Sequence, residues 1–124
     1  MIKVKHLMEP VEPDDGARFW VEPFGLTRDL REWCAVGAVL PHLGPPCEVW
    51  QWFDRHPLAY EMFRGCYHEH LAHGGMTSAL DQLARAGAAH NFTLLHQADD
   101  PEHNTATALF EFLIQRQEWC AAEP

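Results

Sequence analysis

Residues 92–119 read FTLLHQADDPEHNTATALFEFLIQRQEW, and this stretch decides the fold. Phe92-Thr93-Leu94-Leu95 is a short, almost unbroken apolar run. Such runs suit a strand covered on both faces, as in parallel sheets flanked by helices. A polar turn follows, and Asp100-Pro101 predicts a helix start, with Asp100 as N-cap and Pro101 in the first helical position. Glu102 adds negative charge near the positive end of the helix dipole. From there to about Trp119, residues Ala106, Leu109, Phe110, Leu113 and Ile114 recur at helical spacing and form a core face, with Phe112 at its edge.

In α/β proteins ligands gather at the carboxyl ends of strands, where helix N-termini present free N–H groups. Here that place holds His96, Asp99, Asp100, His103 and Asn104. The same residues also make sense as a capped turn with no further role.

Toward the N-terminus, Ile2–Leu7 (IKVKHL) alternates apolar and polar residues as a strand does, and Met8–Gly16 is a Pro- and Asp-rich loop. Arg18–Glu22 (RFWVE) reads as a second strand, ended by Pro23 and Gly25. Thr27 can cap a short helix through Cys34. Ala38–Pro46, with three prolines and a glycine, reads as a loop. Cys47–Arg55 is a short helix with Val49, Trp52 and Phe53 on one face and Trp50 off it. His56-Pro57 opens the next helix, whose core stripe is Tyr60, Phe63, Tyr67 and Leu71 and which Gly74-Gly75 ends. Thr77 or Ser78 caps a further helix closed by Gly87. The sum is a single α/β domain over residues 1–124, with a small, at least partly parallel sheet and packed helices.

Composition excludes several functions. Nine Lys+Arg stand against 18 Asp+Glu, a net charge of −9 over 124 residues with His neutral. That balance argues against nucleic acid and anionic membrane surfaces as partners, since both call for basic patches. No apolar run is long enough to span a bilayer, and Met1–Pro10 lacks the apolar centre of an export signal. The four cysteines (Cys34, Cys47, Cys66, Cys120) are scattered and unpaired in spacing. They read as reduced thiols of a cytoplasmic protein.

Several stretches, taken in order, resemble the YeaO-like family, bacterial domains of unknown function. Asp15-Gly16, Arg18 and Val21 are similar to the family's opening. Trp33, Trp52-Phe53, His56-Pro57, Phe63, Tyr67 and Leu71 resemble its middle. Thr93-Leu94-Leu95 followed by Asp100, Asn104, Ala106 and Leu109 resembles its last stretch. The resemblance implies an α/β fold and a site at the strand-to-helix junction, but no reaction. The departures are specific. Glu22-Pro23-Phe24-Gly25 stands where the family carries arginines after its second strand, and Pro45-Pro46 and Trp50 stand where it has Pro-Ser and then an arginine before Trp-Phe. His96 replaces a Tyr and His70 a Glu.

Nine histidines in a chain of this length raise the question of metals. At roughly 100° per residue, Cys66, Glu69, His70 and His73 fall on one helical face, with Met62 above them and His68 off it. Thiolate, carboxylate and imidazole are reasonable ligands for zinc. The stripe lacks a paired-Cys or HExxH motif, and a His-rich helix flank explains it equally, so no metal and no cofactor are expected. A cysteine nucleophile needs a helix N-terminus or a neighbouring His, and only Cys47 is near a helix start. Asp100 with His96 or His103 forms the elements of an acid–base pair. Trp50, off its helix's apolar face, suits a ligand cleft or a partner interface. The ligand-binding candidates are therefore His96, Asp100, His103, Asn104, Arg18 and Trp50. The sequence favours binding of a small molecule or a protein over catalysis. The rival is an enzyme using the Asp/His/Asn cluster, with or without a metal. Oligomeric state is not legible.

Overall fold

The computed structural model describes residues 1–122 of the chain. In order these form β1 (Ile2–His6), β2 (Ala17–Trp20), α1 (Arg28–Trp33), β3 (Ala38–Val39), α2 (Cys47–Arg55), α3 (Tyr60–His73), α4 (Thr77–Ala89), β4 (Phe92–His96) and α5 (Thr105–Ala122). The four strands make one sheet in the order β1-β4-β2-β3, parallel at every pairing. β4 is interior and buried along its whole length, as its apolar run predicts. β2 lies beside it, with Phe19 opposite Leu94. The α/β class, the parallel sheet and the single domain follow the reading of the sequence.

Alternation along the strands divides the core in two. Ile2, Phe92 and Leu94 meet Phe63, Tyr67, Leu71, Leu80, Leu109 and Leu113 of the helices in the larger cluster. Leu95 and Trp20, from the opposite face, join Leu7, Cys34 and Val36 in a smaller cluster closed by Leu26 and Leu30. The loop from β1 to β2 runs along this second face. There Asp15 is 1% exposed and takes charge-assisted bonds from Lys5 and Lys3 of β1 and from Arg18 of β2. The alternating lysines of β1 thus face a buried carboxylate and not water; Lys5 is only 6% exposed. Gly16 turns the loop into β2 with φ +64, and a Cβ there would stand 1.9 Å from the Asn91 carbonyl oxygen, so no side chain fits.

Thr27 caps α1, its hydroxyl accepting from Leu30 N–H at 3.2 Å. α2 has the expected bounds, and the α3 stripe Tyr60, Phe63, Tyr67 and Leu71 is buried throughout. Several expectations need correction. α3 begins at Tyr60, because His56-Pro57 forms a turn. α4 begins at Thr77 itself, with Met76 in the cap position. Gly87 does not end α4: it is buried inside the helix, packed so close to the sheet that a Cβ there would stand 2.5 Å from Ile2. The 38–46 loop contains the two-residue strand β3 and a short turn of 3-10 helix, Pro41–Leu43. On α5, Phe112 is buried while Phe110 and Ile114 are only partly so. α5 packs against α3, α4 and the sheet together, which widens its apolar face beyond one stripe.

The Tyr67 hydroxyl, buried beneath the sheet, donates to the Leu43 carbonyl at 2.6 Å and ties α3 to the 3-10 turn. Tyr67→Phe strands that carbonyl away from water. We expect a loss of about 1.5 kcal/mol, measured by urea unfolding of the two proteins.

Candidate functional site

β2 and β4 end side by side at the carboxyl edge of the sheet, and the chain leaves both strands there. After β2 it runs Val21-Glu22-Pro23-Phe24-Gly25; after β4 it runs Gln97-Ala98 toward α5. Between them, under α2, lies a cleft of about 270 Å³ lined by Glu22, Phe24, Gly25, Trp50, Phe53, Asp54, Gln97, Ala98, Asn104 and Thr105. This is the position at which parallel sheets collect ligands. Gly25, at φ +98, lets the wall close: a Cβ there would meet Gln97 Oε1 at 2.5 Å.

Glu22 is the chemically distinctive member. It is 7% exposed, and burial, helped by the nearby Asp54 carboxylate, pushes its pKa up to about 7. The side-chain donors of Thr105 and Trp50 face it and favour its charged form, without overcoming the desolvation. The Trp50 ring packs on Phe24 at a centroid distance of 5.5 Å. None of the lining residues is Lys or Arg.

The structure separates the residues the sequence groups together. Asn104 and Trp50 line the cleft. Asn104 is also the true N-cap of α5: its Oδ1 accepts from Thr107 N–H at 2.8 Å, and its Nδ2 donates to the Asp100 carbonyl. Asp100 is therefore not the cap. It lies outside the helix, accepts from Glu102 N–H within its own turn, and meets His103 Nδ1 at 2.8 Å. Pro101 and His103 lie before α5 begins, so His103 is not in the first helical turn. Asn104→Ala is expected to cost about 1 kcal/mol of stability, and Asp100→Ala less. Thermal unfolding of the two variants ranks them.

His103 lines a different hollow, where it lies 4.8 Å from the Tyr60 ring beside Arg64 and Glu111. His96 is 2% exposed and does not reach the cleft. Burial first, then His6 alongside, lowers its pKa, so its Nδ1 stays free to accept Ala98 N–H at 3.1 Å. It fixes the turn after β4. Arg18 is bound to Asp15 and to the Cys34 carbonyl on the opposite face of the sheet. Of the metal candidates, Glu69 and His73 approach at 3.4 Å on the exposed flank of α3. His70 lines a groove with Pro45, Pro46 and Met76. Among the described residues no group of three or more His, Cys, Asp or Glu is placed to hold a metal ion, and no helix is long and apolar enough to cross a membrane.

Sequence reading missed Glu22, Asp54 and Thr105 as lining residues of the cleft. The available signal was an acidic residue directly after an apolar strand, followed by Pro-Phe-Gly.

The chain is similar to the uncharacterized proteins Mb3100c of Mycobacterium bovis and Rv3073c of Mycobacterium tuberculosis. Each is 27% identical over 85 residues, covering 66% of this chain and 70% of the relative. No solved structure matches it. The family model described as the inactive DUF488-N3 subclade matches residues 1–123, and the chain belongs to that family.

Proposed function

We propose that this protein is a non-catalytic binding domain that holds a small molecule in the cleft between Glu22, Trp50 and Asn104. The observation that carries this reading is the cleft itself: a concave, partly aromatic space with a few convergent polar groups, at the carboxyl edge of a parallel sheet. The family description, an inactive subclade, supports binding over turnover. The scattered free cysteines support a reducing, cytoplasmic setting.

The test is a fragment screen by amide chemical shift, with the wild-type protein beside Ala98→Phe, which fills the cleft from a half-buried wall position. Shifts clustered at Gly25, Gln97 and Ala98, absent from Ala98→Phe, are expected. Hits distributed elsewhere, or unchanged in the filled variant, overturn the reading.

A second reading, an acid–base enzyme, rests on the 2.8 Å contact between Asp100 and His103. Against it, the pair is half-exposed, and the third member of the expected cluster, Asn104, is committed to the helix cap. Asp100→Asn should leave fragment binding in the cleft unchanged.

A further inference from the structure

We propose that the cleft selects a small organic cation: an ammonium group held by Glu22 and Asp54, with its carbon chain lying on Trp50 and Phe24. This rests on the reading of the cleft as a binding site and adds the ligand's chemical class. Three observations converge on it. Glu22, 93% removed from solvent, is an acceptor at the cleft wall with no cationic side chain among the lining residues. A carboxylate offers about four lone-pair sites, and the side-chain donors of Thr105 and Trp50 face it. Asp54, on α2, adds a second, exposed carboxylate at the same cleft and raises the cost of leaving Glu22 charged without a counter-charge. An ammonium ion supplies that counter-charge and spare N–H donors in one group.

The contrast with the other buried carboxylate is informative. Asp15 is held by three cations of the chain itself. Among the described residues no cation pairs with Glu22, although it opens on a cleft where a ligand can enter; Arg28 and Arg31 line the neighbouring hollow that Glu22 also borders. The ring pair at 5.5 Å gives the ligand an apolar floor, and the volume, about 270 Å³, admits a short chain with one charged end. An anionic ligand meets two carboxylates and no lining cation, within a chain of net charge −9.

The experiment titrates the protein with butylammonium chloride, with butanol and with butyrate at constant ionic strength. It follows the amide shifts of Gly25, Gln97 and Ala98. Saturable binding of butylammonium is expected, with butanol weaker by about tenfold and butyrate absent. Glu22→Gln and the exposed Asp54→Asn should each weaken butylammonium by a larger factor than they change butanol; Asp54→Asn guards against misfolding at the buried position. Equal binding of butylammonium and butanol overturns the cation inference while the binding-site reading stands. Binding of butyrate in preference overturns it likewise. If none of the three binds and the fragment screen also leaves the cleft untouched, both readings fall.

Discussion

Asp15→Ala is expected to cost about 3 kcal/mol, the low end of the range for breaking a buried ion pair. Asp15 collects Lys3, Lys5 and Arg18, with Arg18 Nη1 at 2.7 Å, and its backbone carbonyl accepts from the Thr93 hydroxyl. Without the carboxylate, Arg18 at 3% exposed and Lys5 at 6% become buried cations facing each other. The loss stays at the low end because the lysines retain acidic neighbours: Lys3 reaches Asp14 at 2.6 Å and Lys5 reaches Glu12 at 3.1 Å. Burial alone would raise the Asp15 pKa, but the hydrogen bonds from Lys5, Glu12 N–H, Lys3 and Arg18 outweigh it and hold the pKa well below the ordinary carboxylate value. The folded state therefore binds this proton less readily than the unfolded chain. The stabilisation is present above the ordinary carboxylate pKa and is lost as pH falls below it toward the depressed folded value. Asp15→Asn should flatten the acid limb of the stability curve. Urea unfolding of wild type and Asp15→Asn from neutral pH down to about pH 3 checks this. Parallel curves below pH 4 would show that the acid limb belongs to other groups.

How much of this was legible in the sequence depends on whether a residue's environment is local. β4 and α5 announce themselves because apolar periodicity is a property of neighbouring residues, and α2 shows its bounds for the same reason. β3 does not, since Ala38 and Val39 are a strand only by pairing with Phe19 and Trp20. The Asp-Pro pair at 100–101 carries a genuine start signal, but tertiary packing delays α5 by one turn and hands the cap to Asn104. Lys3 and Lys5 look like the wet side of a strand because their partner arrives from the following loop. Trp50 and Asn104 were legible as candidates, and both line the cleft: one stands off its helix's apolar face, and the other follows a strand. Glu22 was not, because a glutamate at a strand end is ordinarily solvated. Only the convergence of α2 and the start of α5 over it removes the water.

That burial makes Glu22→Gln a stabilising change at alkaline pH. Glu22 titrates near 7 against an ordinary 4.5. The folded protein thus holds this proton more tightly than the unfolded chain, and stability contributed by the protonated carboxyl falls as pH rises from about 4.5 through 7. The difference of two to three pK units corresponds to about 3 kcal/mol at 1.36 kcal/mol per unit. The glutamine side chain has the shape of the protonated acid, keeps an acceptor for Thr105 or Trp50, and does not ionise. At pH 8 the variant should exceed the wild type by up to about 3 kcal/mol, and near pH 4.5 the two should nearly coincide. The excess should develop within the titration window of Glu22 and not at lower pH, where Asp15 and the exposed carboxylates titrate equally in both proteins. Urea unfolding of wild type and variant at pH 4.5, 6 and 8 provides the test. A difference constant across the three values would mean that Glu22 has an ordinary pKa in the folded state. Its ion would then be solvated or paired, and the cleft would have no uncompensated charge to offer a ligand.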